Sequence, residues 1–156
     1  MKGKIIIVGP GGSGKDFLRK KMVNKGFEYG VSFTSRPPRE GECEGVDYYY
    51  REDDFFENNS DIFLELQEFN GWKYGISKGE FSVKNLFILS PAGIKSLPDS
   101  FREDSFVIYL NPPEEIRVKR LSERNDADSV DRRLIADRKD FFGFSDYDIV
   151  VTNENF

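Results

Sequence analysis

A parallel α/β core carrying a small inserted β-rich lobe is the architecture this sequence predicts, on three observations. Lys4-Ile5-Ile6-Ile7-Val8 is a continuous β-branched run, the pattern of a central strand buried on both faces. It leads straight into Gly9-Pro10-Gly11-Gly12-Ser13-Gly14 and then a helical stretch from Lys15 to about Lys25, ended near Gly26. From about Ser32 to Val83 the chain turns rich in Tyr, Phe, Gly and charge, after which strand–helix alternation resumes. Strand, loop, helix, insert and renewed alternation is the order of a parallel sheet flanked by helices.

Within the insert, Val46–Arg51 and Phe63–Phe69 read as strand-like pieces, and Asn70-Gly71 before Trp72-Lys73-Tyr74 is a hairpin turn signal. Beyond it, Leu86–Leu89 and Phe106–Leu110 read as apolar strands, Glu114–Arg124 and Ser129–Phe141 as helices, and Asp148–Thr152 as the last strand. The stretch Ser122–Ser129 is polar enough to be a mobile loop. A chain of 156 residues is the length of one domain, and it holds no internal repeat or low-complexity tract. The core is therefore expected in residues 1–31 and 84–156, and the lobe in 32–83.

Composition removes several classes of function. Hydrophobic and charged contents of 38% and 33% fit an ordinary soluble protein. No apolar run approaches the ~20 residues that cross a bilayer, so no membrane partner is expected. Met1 to Val8 lacks a small-residue cleavage site and reads as a core strand, not a signal peptide. The balance of 23 basic against 28 acidic residues, a net charge of -5, argues against sequence-independent nucleic-acid binding. With no histidine, Ser-His-Asp hydrolysis, histidine acid/base catalysis and most zinc chemistry are excluded. Cys43 is the single cysteine, which excludes an internal disulfide and agrees with a cytoplasmic location. Glu42 and Glu44 flank it and disfavour a thiolate, so it reads as inert.

Two motifs carry chemistry. Gly9-x-x-x-x-Gly14-Lys15 lets the backbone curl so that its N–H groups face a phosphate, while the helix start adds positive potential and the lysine reaches the outer phosphates. Its place between a strand and a helix supports that reading over a plain turn. Asp16 stands where such loops usually have Ser or Thr. In Arg36-Pro37-Pro38-Arg39, two arginines held by rigid prolines make a fork for a phosphate dianion. Taken alone, that second motif favours a solvated basic turn.

Together the loop and the run from Ser32 to Tyr48, with Arg36-Pro-Pro-Arg39-x-Gly41-Glu42 and Gly45-x-x-Tyr48, closely resemble the guanylate kinase family. The likeness continues in order through Phe63-Leu64-Glu65, Lys73-Tyr74-Gly75-x-Ser77, Arg120-Leu121-x-x-Arg124, Arg132-Arg133-Leu134 and Tyr147-Asp148-Ile149-Val150-Val151-x-Asn153. The resemblance implies a P-loop core of three layers with a parallel sheet, a mixed β lobe for the acceptor nucleotide, and a helical lid at about 120–133. It implies an ATP-dependent nucleoside monophosphate kinase that phosphorylates GMP or dGMP with Mg²⁺, as a monomer or homodimer. It implies ATP contacts from Gly9, Gly11, Gly12, Ser13, Gly14, Lys15, Asp16 and Asn153, with Lys15, Arg120, Arg124 and Arg133 catalytic. Arg36, Arg39, Tyr48 and Tyr74 would hold the GMP phosphate, Ser32 and Glu65 the guanine, with Ser77 in the same subsite. Independently, one carboxylate can accept the adjacent N1–H and N2–H₂ of guanine, which adenine lacks. The residues alone favour Glu65 as an outward position on an alternating strand, and leave the lid arginines also readable as helix-face partners of Glu123 or Asp131.

The chain departs from the family's pattern at several places. Asp16 replaces a hydroxyl, Ser90 aligns with an Asp, and Ile76 replaces a Ser or Thr that usually helps hold guanine, which would loosen base selectivity. The paired exchange at positions 16 and 90 suggests that Asp16 orders the metal. Two other functions remain open on the sequence: a binding module of this family with weakened catalysis, and a kinase with another phosphorylated acceptor. Retention of Lys15, Arg36, Arg39 and the lid arginines favours an enzyme.

Overall fold

β1 (Lys4–Val8) is the strand on which the core is built, because its β-branched side chains can be packed from both sides. The computed structural model, which describes residues 3–124 and 129–156, places it inside a parallel four-stranded sheet of order β6-β1-β7-β8. Its neighbours are β6 (Leu86–Ile88), with Ile6 opposite Phe87, and β7 (Ser105–Leu110), with Ile6 opposite Val107. β8 (Ile149–Val151) forms the far edge. α1 (Lys15–Asn24) follows β1 through the glycine loop, and Gly14 makes the turn at φ 98°, a left-handed conformation that favours glycine.

The expected second lobe is present as a separate mixed sheet of order β3-β2-β5-β4. β4 (Phe63–Phe69) and β5 (Trp72–Ser77) form the hairpin predicted at Asn70-Gly71, whose φ values of 54° and 85° are those of a two-residue primed turn. β2 (Phe33–Thr34) runs antiparallel to β5 and parallel to β3 (Tyr49–Tyr50). The expected strand from Val46 to Arg51 is thus cut to two residues. Gly45 at φ 75° and the Asp47 carboxylate, which accepts the Cys43 N–H at 2.8 Å, fold its first half into a turn.

Short helices fill the places where the pattern showed none: α2 (Asp53–Asn58), α3 (Lys78–Val83), α4 (Pro91–Ser96) and α5 (Asp99–Glu103). Ser77 and Ser90 cap α3 and α4 by accepting N–H groups three residues on, a signature that Ser77-x-x-Glu80 and Ser90-Pro91 already carried. α6 (Glu114–Ser122) and α7 (Val130–Phe141) match the two later helices, Ser129 serving as the cap of α7. The polar stretch expected to be mobile between Ser122 and Ser129 is centred on residues 125–128, outside the described residues.

One hydrophobic core joins the two sheets. Ile6, Val8, Phe87 and Val107 of the parallel sheet pack with Ile76 of β5, with Phe81 and with Ile94 of α4. Full burial of each such side chain contributes about 1.5–3 kcal/mol. α4 also packs against β4 and α7, so the lobe is tied to the core beside the cleft between them.

Candidate active site

A cleft of about 610 Å³ runs between the two sheets. One end is the glycine loop: Gly9, Gly11 to Gly14, Lys15 and Asp16 all line it, as do Arg120, Arg124 and Arg133. The other end brings Ser32, Arg36, Arg39, Tyr48, Glu65 and Tyr74 from four separate stretches of chain onto the same cavity. Two expected residues fall outside that lining. Ser77 is spent as the α3 cap, and the Asn153 side chain accepts the Asn155 N–H at 2.9 Å.

The loop is held from behind by side chains that local pattern did not reveal. Asp137 of α7 is 3% exposed, and its Oδ2 accepts the Gly11 N–H at 3.1 Å and faces Arg117 Nη1 at 3.4 Å. Arg117 Nη1 also donates to the Gly11 carbonyl at 3.3 Å, so both polar groups of Gly11 are fixed. A Cβ at Gly11 would lie 3.2 Å from the Arg133 guanidinium, which sets that arginine directly over the loop. Arg120 donates to the carbonyls of Gly12 and Glu154, joining the loop to the segment after β8. The ring of Phe156 covers Gly14 and meets Phe17 edge-on at 6.0 Å, giving this end an aromatic wall.

Electrostatics at the loop are strongly perturbed. Burial pulls the Lys15 ammonium down to about 8, opposed by Asp137 and Asp16. Its Nζ donates to the carbonyls of Gly9 and Pro10. Burial lifts Asp140 to about 6, helped by Asp137 and opposed by Lys15. A concentration of buried lysine and arginine at a backbone cradle suits a polyanion and would be costly without one.

At the far end the arginine fork is preorganised. Arg36, 3% exposed, donates through Nη1 and Nη2 to the two oxygens of Glu42, each at 3.0 Å. Burial works most strongly against its charge, but Glu42, Tyr48 and Tyr74 together outweigh it and its pKa is raised. Glu42 also accepts the Arg39 N–H at 2.7 Å and the Tyr50 hydroxyl at 3.0 Å, while Thr34 Oγ1 accepts the Arg36 N–H at 3.1 Å. The Tyr48 ring lies 5.1 Å from Arg36 and 6.1 Å from Tyr74, which groups the expected phosphate contacts.

Glu65 is not the outward position that simple alternation allowed. The pairing of β4 with β5 slips between Phe63 and Glu65, and such a bulge re-aims a side chain. The carboxylate is buried and lifted to about 7 by desolvation, against which the Ile76 N–H bond pulls. A Cβ at Gly93 would stand 2.9 Å from Glu65 Oε2, so only glycine leaves room there. Ile76 itself points away: it is fully buried in the core and gives the site its backbone only. Its side chain therefore offers the cleft no hydroxyl of the kind that Ser or Thr would bring there.

The model of the family described as guanylate kinase matches residues 1–156. The chain belongs to the guanylate kinase family. Among its curated relatives, the guanylate kinase of Mycoplasma genitalium is 32% identical over 97% of this chain and 69% of its own length. Those of Bacillus cereus and Bacillus subtilis are 33% and 31% identical, each covered over 80% of its length by 96% and 97% of this chain. The crystal structure of guanylate kinase from Anaplasma phagocytophilum shares the fold, with a TM-score of 0.75 at 22% identity over 97% of this chain and 77% of that one. Membership of the guanylate kinase family makes the chain a nucleotide-binding kinase, a phosphotransferase. Among the described residues no helix is long and apolar enough to cross a membrane.

Proposed function

We propose that the chain transfers the γ-phosphoryl group of ATP to GMP or dGMP, giving ADP and GDP or dGDP. The observation that carries this reading is the shared cleft, where a phosphate-cradling loop and a guanine-directed carboxylate face one cavity across two sets of arginines. ATP lies along the loop from Gly9 to Gly14, with Lys15 on its outer phosphates and the base toward Phe156. The GMP phosphate sits on Arg36, Arg39, Tyr48 and Tyr74, and its guanine on Ser32 and Glu65. A phosphate oxygen of GMP attacks the γ-phosphorus in line, the new P–O bond forming as the bond to the β-phosphate bridging oxygen breaks, and ADP leaves. Such transfer needs positioning and positive charge more than covalent help, and Lys15, Arg120, Arg124 and Arg133 supply it.

The residues fit a magnesium ion. Asp16 offers a hard oxygen donor at the cleft, its side chain 56% exposed, and Mg²⁺ takes one or two protein carboxylates beside phosphate oxygens. Ser90 lines the same cavity, though its hydroxyl already accepts the Gly93 N–H. Asp16 would hold the ion, which supplies charge neutralisation at the β- and γ-phosphates. ATP and GMP as substrates agree with a cytoplasmic location.

Guanine is favoured because its N1–H and N2–H₂ both reach one carboxylate, whereas adenine leaves a buried acceptor unpaired at a cost of about 1–3 kcal/mol. Coupled ADP release should be measured against a panel of nucleoside monophosphates. GMP and dGMP are expected to turn over at least about fivefold better than AMP by that difference. Equal turnover of AMP, or none with any acceptor, rejects the reading.

A further inference from the structure

One charged contact joins the donor helix to the acceptor lobe outside the lining of the large cleft. Arg19 leaves α1, four residues after Lys15, and is 4% exposed. Its Nη2 meets Asp47 Oδ1 at 2.7 Å and its Nη1 reaches the Val46 carbonyl at 3.4 Å. Its Nε faces Asp16 Oδ1 at 3.4 Å, and the guanidinium lies 4.7 Å from the centre of the Tyr29 ring. Asp47 uses its other oxygen to accept the Cys43 N–H, so one carboxylate closes the turn and receives Arg19 at once.

The position of this turn matters because Tyr48 follows it directly, lines the cleft and packs against Arg36. An exposed ion pair would contribute little. Here both side chains are largely withdrawn from water, and the planar fork engages two acceptors of the same turn. A lysine, with a single point of charge, cannot reproduce both contacts.

We propose that Arg19 is a positioning residue for the acceptor nucleotide: from the donor helix it fixes the 43–48 turn, and through it Tyr48 and Arg36. The proposal rests on the acceptor site assigned above. It makes a residue of the phosphate-loop helix govern GMP affinity rather than donor affinity. Its contact with Asp16 is the longer of its two ion pairs, 3.4 Å against 2.7 Å to Asp47, and Asp16 is largely exposed.

The test compares wild type, Arg19→Met and Arg19→Lys by calorimetry with GMP and with ADP, and by amide hydrogen exchange in residues 43–48. Both variants should lose about tenfold in GMP affinity, with ADP affinity unchanged and exchange in 43–48 accelerated. Unchanged GMP affinity overturns the proposal, and so does an equal loss of both ligands, which would mark a general packing role. If Arg19→Met does not fold, Arg19→Met with Asp47→Leu removes the unpaired charge and should fold while still binding GMP weakly; wild-type GMP affinity in that double variant is equally fatal. Wild type that binds no GMP would reject the acceptor assignment instead. Exchange in 43–48 then decides the anchor alone: acceleration on Arg19→Met keeps it, and unchanged exchange removes it.

Discussion

At the glycine loop, main chain lines the cleft beside Lys15 and the lid arginines, shaped by Gly14 and pinned at Gly11 by Asp137 and Arg117. At the acceptor end they are long side chains, and what gathers them is another side chain, Glu42, which receives Arg36, the Arg39 N–H and Tyr50 together. The difference teaches where each end is vulnerable. A backbone-built cradle tolerates changes to its ligand-facing side chains without unfolding, whereas a side-chain fork loses both shape and stability when its counter-charge goes.

Glu42→Ala puts the largest strain on that comparison. It leaves Arg36 buried without its carboxylate and should lower unfolding free energy by about 3–5 kcal/mol, with GMP affinity falling too. Urea unfolding checks it, and an unchanged midpoint would mean that the acceptor end does not depend on Glu42. Lys15→Met should do the reverse at the other end. It removes a buried ammonium, so the thermal midpoint should hold or rise while kcat drops by ~10²–10³. A large fall in both would erase the contrast.

Glu65 sharpens the comparison through pH. Burial raises its pKa to about 7, and the ionised form is the one that accepts both guanine donors. GMP affinity should therefore weaken as pH falls below about 7, towards about tenfold per unit at the limit. Glu65→Gln should flatten the GMP profile; a wild-type profile already flat from pH 8 to 5.5 would place the carboxylate away from the base. The smallest effect belongs to Ser77→Ala, which should cost about 1 kcal/mol of stability through the lost α3 cap and leave GMP affinity unchanged. A raised GMP KM in that variant would return Ser77 to the acceptor site.

Local chemistry was legible where one stretch of chain contains all that it needs. The Lys4–Val8 run, the Gly14-Lys15 helix start and the Asn70-Gly71 turn each appear where their residues call for them, because short-range φ/ψ preference and side-chain periodicity decide them. The short helices were missed because six residues are too few to show a period, although Ser77-x-x-Glu80 announced one of them. The strand expected from Val46 was overestimated because β-branched and aromatic residues outweighed the turn-forming Asp47, whose side-chain bond to Cys43 no strand pattern shows.

By itself, the sequence determined the order of the elements, the phosphate loop and the arginine fork, and it excluded histidine chemistry. Tertiary structure alone decided which distant residues complete them. Asp137 meets Gly11 across 126 positions of chain. Gly93 clears space for Glu65, a bulge turns that carboxylate into the cleft, and Arg19 reaches across to Asp47. Packing puts Ile76, read in the sequence as the loss of a base-site hydroxyl, in the core, where it joins the two sheets. The physical reason is common to all of these. A turn or a strand is set by the conformational preferences of its own few residues, while a buried charge or a cleared space exists only after the core has closed and water has been removed from around it.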